Sequence, residues 1–124
     1  MPAALPIITE VESVNAFADL LTKNPGIVVM KMGAEWCGPC KRIDPLVQAW
    51  FDSSPDTAQC VMLDIDENMD IYMFLKNKKR VNGIPAILCW VKGNTNYIPD
   101  DMVNTSDAVQ VNLFFQRCAA KLGK

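Results

Sequence analysis

The stretch Trp36-Cys37-Gly38-Pro39-Cys40-Lys41 constrains this chain more than any other. The run before it, Ile27-Val28-Val29-Met30-Lys31-Met32, is short, apolar and β-branched, which predicts a buried strand. The run after it, Lys41 to Phe51, repeats Ile43, Leu46, Val47 and Trp50 at helical spacing. The two cysteines therefore sit at a strand-to-helix junction, with Cys37 at the helix N-terminus. Unpaired backbone N–H groups and the helix dipole there favour a thiolate over a thiol. Cys37 is thus the expected nucleophile, and Cys40, one turn in, the resolving thiol. Gly38 and Pro39 permit a tight turn that keeps both sulfurs within bonding reach, and Trp36 offers a flat apolar surface beside them. One of the two sulfurs is expected to be exposed. Two blander uses of such a pair stand beside this one: half of a metal site, or a packing pair without redox function. A metal site needs four ligands, and the chain has neither a second C-x-x-C nor any histidine, so no metal is expected.

The absence of histidine also excludes Cys-His nucleophile pairs and imidazole acid–base catalysis. A length of 124 residues suits one domain spanning 1–124, and a hydrophobic fraction of 50% can fill a core on both faces of a sheet. A net charge of −2 gives no reason to expect nucleic acid as a partner. Five cysteines, with Cys60, Cys89 and Cys118 scattered singly, do not form the even pattern of a disulfide-stapled secreted domain. These three read as small core hydrophobes, Cys118 with some exposure as the lesser alternative. The start, Met1 to Pro6, lacks signal-peptide character, and no stretch approaches the ~20 apolar residues needed to cross a membrane. A reducing interior such as the cytoplasm, and a monomer, are expected.

In chain order, Leu5–Thr9 reads as a short edge strand, with Pro2 and Pro6 holding it extended. Ser13 caps a predicted helix to Lys23 that buries Val14, Phe17, Leu20 and Leu21, and Asn24-Pro25-Gly26 stops it. Pro45 is expected to kink the next helix without ending it. A second core strand runs from Gln59 to Ile65, and a helix from Asn68 to Leu75 turns Ile71, Tyr72, Phe74 and Leu75 inward. The loop Val81-Asn82-Gly83-Ile84-Pro85 leads into a strand over Ala86–Val91. Lys92-Gly93-Asn94 predicts a hairpin into an edge strand at Thr95–Ile98, ended by Pro99. Ser106 caps a last helix with Val109, Leu113, Phe114 and Cys118 facing the sheet. The pattern is α/β: a central mixed sheet with helices on both faces.

Trp36-Cys37-Gly38-Pro39-Cys40-Lys41 resembles the active site of the thioredoxin family residue for residue, together with Ala34-Glu35, Pro45 and the distant Gly83-Ile84-Pro85. The resemblance implies the thioredoxin fold and a thiol–disulfide oxidoreductase that reduces protein disulfides through a redox-active Cys37–Cys40 disulfide. It further implies that Pro85 is cis and that Ile84 pairs its backbone with the client as an added strand, beside Trp36. No bound cofactor is implied; electrons would come from a thioredoxin-reductase-type protein or another dithiol, and the partners would be disulfide-containing clients. The Gly-Pro dipeptide favours a reductase over a disulfide isomerase or oxidase. The rival from another class is a redox-inactive binding module on the same scaffold, as in thioredoxin-like spliceosomal proteins, which lack an intact cysteine pair.

Three departures from the family stand out. Lys31 occupies the place of the usual buried aspartate, and that acid's lysine partner falls at Met62. Lys31 is expected either to stabilise a nearby thiolate or, more blandly, to pair with Asp64 or reach water along its flexible stem; a neutral lysine acting as base is a lesser option. The segment between Asp66 and Gly83 is about one helical turn (~4 residues) longer than usual and carries Lys76, Lys78, Lys79 and Arg80. These are a solvated helix end or a recognition surface for an acidic client. The groove glycine of the family is expected near Asp101, where a side chain would reshape the groove.

Overall fold

The computed structural model describes residues 3–123. Among these, four helices and a four-stranded mixed sheet form three layers. The helices are α1 (Val14–Thr22), α2 (Gly38–Asp52), α3 (Met69–Asn77) and α4 (Ala108–Leu122). The strands are β1 (Ile27–Gly33), β2 (Ala58–Asp64), β3 (Ala86–Val91) and β4 (Asp101–Val103), in the spatial order β2-β1-β3-β4. β1 pairs parallel with β2 and antiparallel with β3, and β4 lies antiparallel at the edge.

Every residue of β1 is buried, because helices cover both sides. Side chains alternate across it: Val28, Met30 and Met32 enter one core with Phe17 and Leu21 of α1 and Ile71, Tyr72 and Leu75 of α3. Ile27 and Val29 enter the other with Ile43, Val47 and Phe51 of α2 and Val111, Phe114 and Phe115 of α4. Odd-numbered β1 residues therefore face α2, which decides where Lys31 and Gly33 point.

The expected elements at Ser13, Ile27–Met32, Gln59–Ile65, Asn68–Leu75 and Ala86–Val91 are present within a residue or two. The Ser13 side chain accepts from the Ala16 amide, as an N-cap does. Five expectations need correction. The Leu5–Thr9 strand shrinks to one bridge between Ile8 and Val61, and Pro2 lies outside the described residues. Val14 is exposed. Thr95–Ile98 is a loop, and the edge strand comes later at Asp101–Val103. There Asn94 accepts from the Asn96 amide and Asn96 from the Ile98 amide, while the Asn94 Nδ2 donates to the Ile98 carbonyl. These local side-chain bonds take groups that a ladder would have needed. Finally, Val109 and Leu113 of α4 are exposed, while Val111 and Phe115 are buried. The buried set 111, 114, 115, 118 keeps the i, i+3, i+4, i+7 period, whereas 109 and 113 point about half a turn away from it. Asp107, not Ser106, caps this helix by accepting from Val109 N.

Candidate active site

Cys37 is the N-cap of α2 and Cys40 lies in its first turn, and the two are joined as a disulfide with Cα atoms 5.2 Å apart. The Cys37 Sγ accepts a hydrogen bond from the Cys40 amide at 3.2 Å. One otherwise orphan N–H of the helix start is thus aimed at the sulfur where a thiolate would form. Exposure is less than expected: Cys37 keeps 6% and Cys40 none, so access is confined to one edge of Cys37. Gly38 and Pro39 open the helix, where proline's missing N–H has no intrahelical partner to lose. α2 continues through Pro45 to Asp52. Trp36 projects 67% exposed beside the pair, its indole N–H donating to Asp66 Oδ2 at 2.8 Å. That bond to the turn after β2 orients the ring and was not visible in the local sequence.

Lys31 lies opposite Met62 in the β1–β2 register, and it is the only charged side chain among the buried residues described. Its partner is not Asp64 but Asp44 of α2: Nζ donates to Oδ1 at 2.6 Å. The alternation of β1 explains this, since Lys31 faces α2 and Asp44 is the carboxylate on the facing turn. A methyl placed on Gly33 would meet Lys31 Nζ at 2.6 Å and Cys40 Sγ at 3.4 Å. The ammonium and the Cys40 sulfur therefore flank one small volume that only the absence of a side chain at Gly33 leaves free. The outer end of the pair opens on a cleft of about 700 Å³.

The Ile84–Pro85 peptide is cis, and Pro85 is buried where β3 begins. The Asp101 carboxylate is bonded to α4 and not to this loop. It accepts from Arg117 Nε (2.7 Å) and Nη2 (3.1 Å) on α4, and the Arg117 hydrogen bond holds its carboxyl below the usual carboxylate range. The residue against the loop is Asn104, whose Nδ2 donates to the Pro85 carbonyl at 2.8 Å and whose Oδ1 accepts from Asn82 N. Sequence reasoning missed Asn104, because only the position of β4 brings it there. Of the basic run, Lys76 lies over the Tyr72 ring and Lys78 over Phe74 and Tyr97.

Cys60, Cys89 and Cys118 are buried free thiols, so Cys118 has no exposed edge. Burial pushes the Cys60 thiol up to about 11, against an opposing hydrogen bond with Ser54. The Cys118 thiol is raised by its hydrogen bond with Cys89 and by burial. Neither group is suited to compete as a thiolate at neutral pH.

A disulfide closed across the first turn of a helix, its N-cap sulfur held by a helix N–H and its N-cap cysteine keeping a narrow accessible edge, on an α/β sandwich, defines a thiol–disulfide oxidoreductase. The thioredoxin family model matches residues 8–115. Thioredoxin of Pseudomonas aeruginosa is 34% identical over 79 residues, which is 64% of this chain and 69% of the relative. Thioredoxin-2 of Saccharomyces cerevisiae is 29% identical over 87 residues, 70% of this chain and 79% of that one. Among solved structures, Fasciola hepatica thioredoxin superposes with a TM-score of 0.69 at 21% identity, covering 89% of this chain and 98% of the other. Malassezia sympodialis thioredoxin gives 0.68 at 23% identity, covering 91% and 94%. The chain belongs to the thioredoxin family, and its activity is reduction of protein disulfides by thiol–disulfide exchange. No helix among the described residues is long and apolar enough to cross a membrane.

Proposed function

We propose that Cys37 is the attacking thiolate and Cys40 the resolving thiol in the reduction of a client disulfide. The Cys37 thiolate attacks one client sulfur, the client S–S bond breaks, and its second sulfur leaves as a thiolate that takes up a proton. Cys40 then loses its proton and attacks Cys37. The mixed disulfide breaks, the Cys37–Cys40 bond forms, and two electrons have passed to the client. The observation that carries this assignment is the Cys40 amide directed at Cys37 Sγ, a stabiliser of charge on one sulfur and not on the other. Its access difference agrees, since only Cys37 reaches the surface.

The client would lie along Trp36 and pair with the Ile84 backbone next to Pro85, an added strand at the mouth of the site. Gly38 and Pro39 keep the turn tight beneath it. No bound cofactor takes part; a separate reductase of the thioredoxin-reductase type, or a small dithiol, returns the electrons. Three buried thiols left unpaired suit a reducing compartment such as the cytoplasm, and a single domain acting as a monomer is sufficient for the chemistry.

The test is a trap. With insulin as client and dithiothreitol as donor, the wild type catalyses reduction and Cys37→Ser falls to background. Cys40→Ser accumulates a covalent complex through Cys37 that dithiothreitol releases. Complexes that form equally well without Cys37 would refute the assignment and favour a binding module; a strongly oxidising potential of the pair would refute the reductive direction.

A further inference from the structure

The resolving step requires Cys40, wholly buried, to carry negative charge for a moment, and the family's usual buried carboxylate is absent from its place on β1. In that place stands Lys31, with its side chain 5% exposed and its ammonium beside Cys40 Sγ across the space kept open by Gly33. The carboxylate has not vanished. It sits on the facing helix as Asp44, one turn beyond Cys40, so that Cys40 and Asp44 share a face of α2. Asp44 is 47% exposed and takes the ammonium from the solvent side. The other charged groups around the cleft are Glu35, Lys41, Asp64 and Glu67. Glu35, Lys41 and Glu67 are exposed, so screening weakens them relative to the buried ammonium, while half-buried Asp64, opposite Gly33 in the β1–β2 register, adds to the negative charge set against it.

We propose that the Lys31–Asp44 ion pair sets the acidity of Cys40 with two opposite hands: Lys31 stabilises the Cys40 thiolate, and Asp44 restrains that stabilisation by compensating the ammonium. The inference rests on Cys40 being the resolving thiol. It makes Lys31 and Asp44 positioning residues, since neither has to touch the client. The electrostatic account is simple. A cation next to a buried sulfur favours its anionic form, an anion one helical turn away disfavours it, and low local polarity enlarges the first effect more than the second, since Asp44 is half exposed. A pair serving only to fill and staple the β1–α2 contact would make no such distinction between its two members.

The experiment follows the 13Cβ shift of Cys40 against pH in the reduced protein, alongside the rate at which a preformed Cys37 mixed disulfide resolves at pH 7. Lys31→Met is expected to lower the acid dissociation constant of Cys40 by about tenfold and slow resolution similarly. Asp44→Asn, whose carboxylate is half exposed and therefore partly screened, is expected to raise the constant by a smaller factor, about threefold, and Lys31→Arg to stay near wild type. Shifts of the same sign in Lys31→Met and Asp44→Asn, or no shift in either, overturn the proposal. Should Lys31→Met not fold, Asp44→Asn decides alone: its Cys40 must become more acidic, and an unchanged or weaker acid overturns the proposal. Insulin turnover of the wild type is read separately. Normal turnover without opposed shifts removes the ion-pair control and leaves the enzyme; opposed shifts without turnover remove the oxidoreductase roles and leave the electrostatics.

Discussion

Asn68 occupies the N-cap position of α3 yet caps nothing, because its side chain is used elsewhere. Its Oδ1 accepts from the buried Val11 amide at 2.8 Å, and its Nδ2 donates to the Asp64 carbonyl at 2.9 Å and to Thr9 at 3.4 Å. One buried amide thus ties the N-terminal segment to the end of β2, beside the turn whose Asp66 orients Trp36. Asn68→Ala leaves the Val11 N–H without an acceptor in a dry setting, at a cost of about 1–3 kcal/mol. The Asp64 bond adds about 1 kcal/mol, and the long Thr9 contact little. No capping bond is lost, so nothing further is subtracted from the helix. The expected loss is about 3 kcal/mol, or about 10 °C in melting temperature for a chain of this size. Urea unfolding of the oxidised protein measures the first, and amide exchange at Val11 locates it, since that N–H should lose most of its protection. A loss below about 1 kcal/mol, or unchanged exchange at Val11, would refute the reasoning.

Two further outcomes follow from the helix ends and edges. Asp101 is held below its usual range by Arg117, so the stability it contributes is fully present above the unfolded carboxylate value near 4 and is lost as pH falls through the lower folded value. Asp101→Asn should therefore cost about 1 kcal/mol at pH 7, discounted because Arg117 is nearly half exposed, and progressively less as the pH is lowered below the unfolded carboxylate value, as read by urea midpoints across that range. Lys79 has φ +59° at the end of α3, where Arg80 N donates to Leu75 O and Lys79 N to Lys76 O, a helix stop that usually places glycine there. Lys79→Gly should raise stability by about 0.5–1 kcal/mol in the same assay; a decrease would mean that the lysine makes a contact outweighing its strained backbone.

Much of the site was legible because it is local. A β-branched run, a C-x-x-C and an amphipathic helix in immediate succession specify a strand, a turn and a helix N-terminus. Cys37 at the cap follows from spacing alone. The same logic failed where local signals compete. In Thr95–Ile98, asparagine side chains captured the backbone groups a hairpin needed, and in α4 two readings of the apolar period differed by a fraction of a turn.

What the chain's order of residues determined on its own is the chemistry and its position: two thiols at a helix start, no histidine, a lysine where an acid is usual. What tertiary structure decided is the company those groups keep. Lys31 meets Asp44 and not Asp64, Asn104 and not Asp101 braces the Pro85 loop, and Asp66 holds the Trp36 indole. The physical reason is that spacing fixes which groups share a strand or helix face. A salt bridge or hydrogen bond between elements requires in addition the register of β1 on β2 and the seating of α2 on the sheet, and these are settled only when both cores pack.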